Sequence, residues 1–387
     1  MIQLVINADD FGIHPQVDEA IIELAQKGII TSTSACMNMP HAVDKVKYLK
    51  DKVPELGIGV HLTLTAGYPA RRTSKVQEAL CPPNKKHFQQ VSDFYFQRML
   101  KRLPAVWEEM ETQVLLLKEK AGVAPDHINC HHGILQLLPR LHSLYQQLAD
   151  RHQLPMRHPV PAGLVRTQKK YFNPPGFQKQ ALNRGWLFIW DNEPWVKGNL
   201  IRTALRNKIF KNGGEFCERI AGYPQVPDYF VDNFYGNKQP MRFTDILLNL
   251  KKQHEEDGLN ASFEMVTHVS NQPMAPPEAS DIQGIQSPTS PWVGYHTEPN
   301  AALPKGINRE YFPNRHREYL ELKRFAANFD TPASLRQHLA NHGIALAHFQ
   351  DLRYEGRSQG CSLAPNGNTP TAKSNLNNYE DFPPITL

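Results

Sequence analysis

Apolar positions along the chain fall into two alternating kinds of segment. Leu4-Val5-Ile6-Asn7-Ala8 is a short run with β-branched residues, bounded by Asp9-Asp10-Phe11-Gly12, and reads as a buried strand. Pro15 suits the first position of a helix, Val17, Ala20, Ile21 and Leu24 follow at helical spacing, and Gly28 stops it. The pattern then gives a strand over Ile29 to Met37, a helix over Ala42 to Val53 and a strand over Gly57 to Leu64. Beyond an irregular stretch from Gly67 to Leu103, Val106, Met110, Val114 and Leu117 mark a helix ended by Gly122. Asp126 to His131 is the next strand, Leu141 to His152 the next helix, and Met156 to Val160 is strand-like. Asp245 to Glu256 is a helix stopped by Gly258, and Ser262 to His268 a strand. Thr331-Pro332 opens a last helix, which Gly343 closes before a strand over Ile344 to Phe349.

Strands alternating with helices predict a parallel sheet with right-handed crossovers. Six or seven such repeats suit an α/β fold closing as a deformed or incomplete TIM-like (β/α) barrel. Two stretches break the rhythm: a Pro-, Gly-, Trp- and Asn-rich excursion over about 161–242 and a Pro-rich loop over about 271–304. Within the first, Trp186-Leu187-Phe188-Ile189-Trp190 reads as buried packing or as a platform for sugar rings. From 353 to 387 the composition is that of a disordered tail. The expectation is one barrel domain over 1–352, because the candidate site residues are spread too far along the chain for separate domains.

Composition narrows the class. With 387 residues and 40% apolar content a buried core is affordable, which excludes a wholly disordered protein. No apolar run approaches the ~18 residues of a membrane span, and the opening segment turns acidic at Asp9-Asp10 where a signal peptide stays apolar. A net charge of +5 is scattered over short, interrupted stretches, so nucleic acid is not expected as a partner. Five cysteines, an odd number with no C-x-x-C, fit a reducing cytoplasm and neither a disulfide framework nor a thiolate zinc site. A homodimer is permitted but not specified.

Three predicted strands end in candidate metal ligands: Asp9-Asp10, His61, and His131-His132. In parallel α/β folds the site forms at strand ends, and two imidazoles plus a carboxylate can hold one divalent cation there. A single histidine among 17 is ordinarily a surface or core residue, so the weight lies on the three together. Neighbours on a strand point to opposite faces, so Asp9 and Asp10 share a site only if the chain turns there, which Gly12 permits. One carboxylate would then hold the metal and the other take a proton from water. His268 ends another strand and reads either as packed or as an acid or base at the same mouth. Arg157 reads as a sugar- or carboxylate-binding group or as an ordinary ion pair. Gly356-Arg357-Ser358-Gln359-Gly360 matches a nucleophile elbow, but it lies in the tail and no His follows it.

These segments resemble the YdjC-like carbohydrate deacetylases, the family that includes chitooligosaccharide deacetylases and HpnK-type proteins. The matching pieces are Asn7-Ala8-Asp9-Asp10-Phe11-Gly12, Gly59-Val60-His61-Leu62-Thr63, Asp126 to His132, Arg157 with Pro159, Glu264 to His268, and Arg317-Glu318. The resemblance implies a deformed TIM-like barrel that removes N-acetyl groups from sugars with a divalent metal. It implies Asp10, His61 and His131 as ligands, Asp9 as general base, and His268 in the cleft as acid or oxyanion partner. It implies Mg²⁺, whereas two imidazole ligands by themselves favour Zn²⁺, Fe²⁺ or Mn²⁺. Asn129 stands where the family usually has Asp, and His268-Val269 where it has His-Pro.

The expected function is therefore a metal-dependent hydrolase acting on acetylated amino sugars or oligosaccharides, with Arg157 on the substrate side. Two alternatives stand beside it: a carbohydrate-binding barrel without turnover, and a metal-dependent phosphoesterase or nuclease.

Overall fold

The structure, a computed structural model, describes residues 1–88, 102–137, 139–158, 162, 171–172, 225–232, 234, 241–274 and 311–352. Its central strand is β1 (Ile2–Phe11), and the alternation along it sets the two sides of the sheet. Ile2, Leu4, Ile6 and Ala8 join the large apolar core between sheet and helices. Val5 packs instead with Ala347, Phe349 and Leu352, and Asn7 and Asp9 are buried outside both clusters. Successive side chains on a strand face opposite ways, so odd positions line the interior of the curved sheet and even ones meet the helices.

The other strands are β2 (Ser32–Ala35), β3 (Gly57–Leu62), β4 (Ile128–Cys130), β5 (Tyr229–Val231), β6 (Ser262–Thr267) and β7 (Ile344–Leu346). Every pairing is parallel, in the order β4-β3-β2-β1-β6-β5, with β7 also on β1. β7 and β2 share one edge of β1. Ile2 N bonds to Gly343 O and Ala347 N to Leu4 O, while further along Thr31 N reaches Ile6 O. Among the described residues the open ends, β4 and β5, are joined only by isolated hydrogen bonds: Ile128 N to Pro155 O, Arg157 N to Ile128 O, and Met156 N to Gln225 O. The barrel is thus incomplete, as its sequence predicts.

α1 (Pro15–Gln26) is capped by His14, whose ring nitrogen accepts from Gln16 N. It buries Val17, Ala20, Ile21 and Leu24, of which Val17, Ile21 and Leu24 contribute about 1.5–3 kcal/mol each by leaving water. α2 (Ala42–Lys52), α3 (Ser74–Leu80), α4 (Leu103–Leu115), α5 (Ile134–Leu137) and α6 (Pro139–His152) follow. α7 (Phe243–Asp257) ends at Gly258 in the left-handed conformation, and α8 (Tyr311–Ala326) and α9 (Pro332–Asn341) complete the described helices.

Several expectations need correction. Of the strand expected over Met156 to Val160, the described part, 156–158, makes one bridge, Met156 to Ile128, and no strand. The last strand stops at Leu346, because Phe349–Asp351 is a 3₁₀ turn held by Asp351 on His348 N. The stretch read as irregular contains α3, capped by Thr73, and the excursion contains β5. α8 was not anticipated at all. Most of the excursion, Trp186 to Trp190, the loop from 275 onward and the tail from 353 to 387 lie outside the described residues. Among the described residues no helix is long and apolar enough to cross a membrane.

Candidate active site

The C-terminal ends of β1, β3, β4 and β6 carry the candidate residues to one mouth of the barrel, where α/β barrels place their chemistry. Asp10 gets there by an unusual backbone. Its φ is +74°, inside a register shift between Ala8 and Phe11 against β2. A left-handed non-glycine residue in a bulge is costly and is typical of functional sites. The turn that brings Asp10 beside Asp9 therefore lies at Asp10 itself, with Gly12 at φ +95° continuing it.

Asp10, His61 and His131 meet with all three ligand atoms within 4.8 Å of one another. Asp10 Oδ1 lies 3.2 Å from His61 Nε2 and 3.0 Å from His131 Nδ1, and the two ring nitrogens are 3.2 Å apart. Such edges are what adjacent ligands show when each lies about 2.0–2.2 Å from one cation. All three residues are buried. The protein's own hydrogen bonds aim them. Asn129 Nδ2 donates to Asp9 Oδ1 and to Ser34 Oγ, so its Oδ1 accepts from His61 Nδ1 at 2.6 Å. That fixes the tautomer with the Nε2 lone pair facing Asp10 and His131. Gln113 pairs with both backbone groups of Thr63, at 2.9 and 2.8 Å, and holds the end of β3. His132, at φ +57°, turns away to Thr65 Oγ1 at 2.9 Å.

The second oxygen of Asp10 bonds to Arg315, a fully buried arginine on α8. Burial alone would raise the Asp10 carboxyl, but Arg315 and His131 outweigh it and hold it well below the ordinary carboxylate range. Sequence reasoning missed Arg315, whose helix it did not predict.

Asp9 is bound asymmetrically. Its Oδ1 accepts from Asn7 Nδ2 at 2.7 Å, Ser34 Oγ at 2.8 Å, Arg157 Nη2 at 2.8 Å and Asn129 Nδ2 at 3.0 Å. Its Oδ2 takes a hydrogen bond from Arg157 Nη1 at 2.7 Å and faces His268 Nε2 at 3.7 Å. Burial opposes ionisation, but Arg157, His61 and His268 hold the carboxyl well below its usual range, so it is a carboxylate at any working pH. Burial pushes the His268 ring down to about 3, so it is neutral. Glu318 accepts from the His268 backbone N–H at 2.8 Å and from Thr267 Oγ1 at 2.9 Å.

Of the two readings open for Arg157, the geometry presents the ion pair: its guanidinium lies between Asp9 and Glu264. Of the residues singled out from sequence, Asp9, Asp10, His61, His131, His268 and Arg157 all converge here. Asn7, Ser34, Glu264 and Arg315 complete the arrangement. A buried, cation-sized donor triangle beside an ionised carboxylate suits metal-assisted hydrolysis.

Comparison with known proteins gives the chain its relatives. The profile of the family described as "YdjC-like protein" matches residues 3–298. A carbohydrate deacetylase from Enterococcus faecalis is 33% identical over 156 residues, covering 40% of this chain and 58% of that protein. A chitooligosaccharide deacetylase from Proteus mirabilis is 29% identical over 158 residues, 40% of this chain and 58% of that one. The match thus spans about three-fifths of these relatives' length. A crystal structure titled a putative cellobiose-phosphate cleavage protein, from Enterococcus faecalis, superposes with a TM-score of 0.53 at 20% identity. It covers 90% of this chain and 97% of that one, and it shows the shared fold.

Proposed function

The chain belongs to the YdjC-like family, and from that premise we propose that it is a metal-dependent deacetylase of N-acetylated amino sugars or oligosaccharides. The observation that carries this reading is the pairing of the Asp10/His61/His131 triangle with a carboxylate, Asp9, that is held beside it.

Asp10, His61 and His131 would hold a divalent cation. When bound, that cation polarises an amide carbonyl and acidifies a water. Asp9 is the general base. Four donors occupy Oδ1, so Oδ2, with one donor, is the oxygen with capacity for a proton. Asp9 Oδ2 takes a proton from the attacking water as its oxygen bonds to the acetyl carbon. The carbon–nitrogen bond then breaks, and the amine receives the proton by way of His268, whose Nε2 lies 3.7 Å from Oδ2. The products are acetate and the free amino sugar. Because His268 starts neutral, it relays a proton that Asp9 has gained and does not supply one of its own.

Acetate release from N-acetylated chitooligosaccharides across a screen of divalent metals, Mg²⁺ and Zn²⁺ included, tests the reading. Full activity in Asp9→Asn on the true substrate would overturn the assignment of the base.

A further inference from the structure

We propose that Glu264 is a positioning residue for Asp9, acting through Arg157; this rests on the reading of Asp9 as the base. Glu264 lies in the middle of β6, opposite Val5 of β1 and Phe230 of β5, and its side chain is fully buried inside the barrel. Among the described residues its hydrogen bonds go to Arg157 alone: Oε1 accepts from Nε at 2.7 Å and lies 2.6 Å from Nη2, and Oε2 has no protein partner.

Two carboxylates thus face one guanidinium, all three side chains buried from solvent. Asp9 by itself would neutralise Arg157, so the second carboxylate adds a net negative charge. Burying such an ion is costly, and one cation, already shared, does not fully return that cost. Burial correspondingly pushes the Glu264 carboxyl up against the pull of Arg157. Glu264 caps no helix and pairs no strand through its side chain, so stability alone gives it no reason to be there.

Geometry supplies the reason. Arg157 presents the ends of its fork, Nη1 and Nη2, to the two oxygens of Asp9. A planar fork held only at its ends can still pivot about that contact. Glu264 grips the Nε edge, and the Phe230 ring lies 4.9 Å from the guanidinium carbon against its face. Edge and face together leave one orientation, which keeps Oδ1 among its donors and Oδ2 toward His268. Among the described residues Glu264 makes no hydrogen bond to Asp9 or to the donor triangle; its like charge repels that of Asp9, but its hold on the orientation of the base runs through Arg157.

The test is Glu264→Gln, which keeps the shape and an acceptor but loses the charge. On an N-acetylated chitooligosaccharide, kcat should fall about 10- to 100-fold with KM little changed, the scale expected when a remote change misplaces a reacting group. The dissociation constant for the activating metal should stay at the parent's value. Without any substrate, the Arg157 Nε–H resonance of ¹⁵N-arginine-labelled protein should shift and exchange faster. In an Arg157→Met background, Glu264→Gln should cost nothing more. If Glu264→Gln does not fold, Glu264→Asp, one methylene short, should show the same kcat loss at unchanged KM. A parent-like kcat, or an undiminished loss in the Arg157→Met background, overturns the proposal. Should Asp9→Asn keep full activity, the underlying reading fails. Should Asp9→Asn be inactive while Glu264→Gln is unaffected, only the role of Glu264 fails.

Discussion

Asn129 accepts the Nδ1 proton of His61 across 2.6 Å, and this contact decides which nitrogen His61 offers to the centre. The family's usual Asp at that position is replaced here, and the neutral amide adds what a carboxylate could not: two donors, spent on Asp9 Oδ1 and Ser34 Oγ. One side chain therefore orients a ligand and anchors the base.

Asn129→Ala should release both. Loss of a partner behind a metal-ligating histidine typically costs about 10–100-fold in metal affinity. Calorimetric titration of the divalent ion into parent and variant reads it. Equal affinities would show that His61 needs no such support.

Metal binding should also appear as stability. A ligand bound by the folded state alone stabilises it by about 2.7 kcal/mol at a hundred times its dissociation constant. The activating metal should raise the melting temperature of the parent, chelator should reverse the rise, and His61→Ala should show little of either. A variant that still gains the full shift would mean that the ion sits elsewhere.

Glu318 sets a stability window. Burial moves its carboxyl from 4.5 up to about 8, so the folded chain keeps a proton that the unfolded chain has released. Its contribution is complete below about pH 4.5 and is lost as pH rises through about 8. Between those values the parent should lose stability relative to Glu318→Gln, and below them the two should run in parallel. Melting temperatures across that range decide it; parallel curves throughout would place the proton elsewhere.

The sequence made the strand–helix rhythm and the ligand triangle readable because both are local patterns: runs of Val, Ile and Leu, and polar residues where those runs stop. It failed where structure came from afar. Met156 sits in a strand-like run, yet its described part pairs at one position, since the sheet is barely closed there. α8 buries Tyr319 and Leu322 but also the polar Asn314, Arg315 and Glu318, which blurs its apolar stripe. Arg315 and Glu264 became visible as site residues only once the fold brought them to Asp10 and Arg157. The positive φ of Asp10 has only a weak sequence signal: aspartate is enriched in that conformation, but most aspartates do not adopt it.

The central claim is that Asp9, beside a cation held by Asp10, His61 and His131, drives deacetylation. The most direct measurement is acetate released from N-acetylated chitooligosaccharides by metal-free, metal-loaded and Asp9→Asn protein. Release is expected from the loaded parent, with Asp9→Asn at least ~100-fold slower while it still binds the metal, and none from the metal-free protein. Glycan binding without acetate release under any metal, or turnover of phosphate esters in its place, would contradict it.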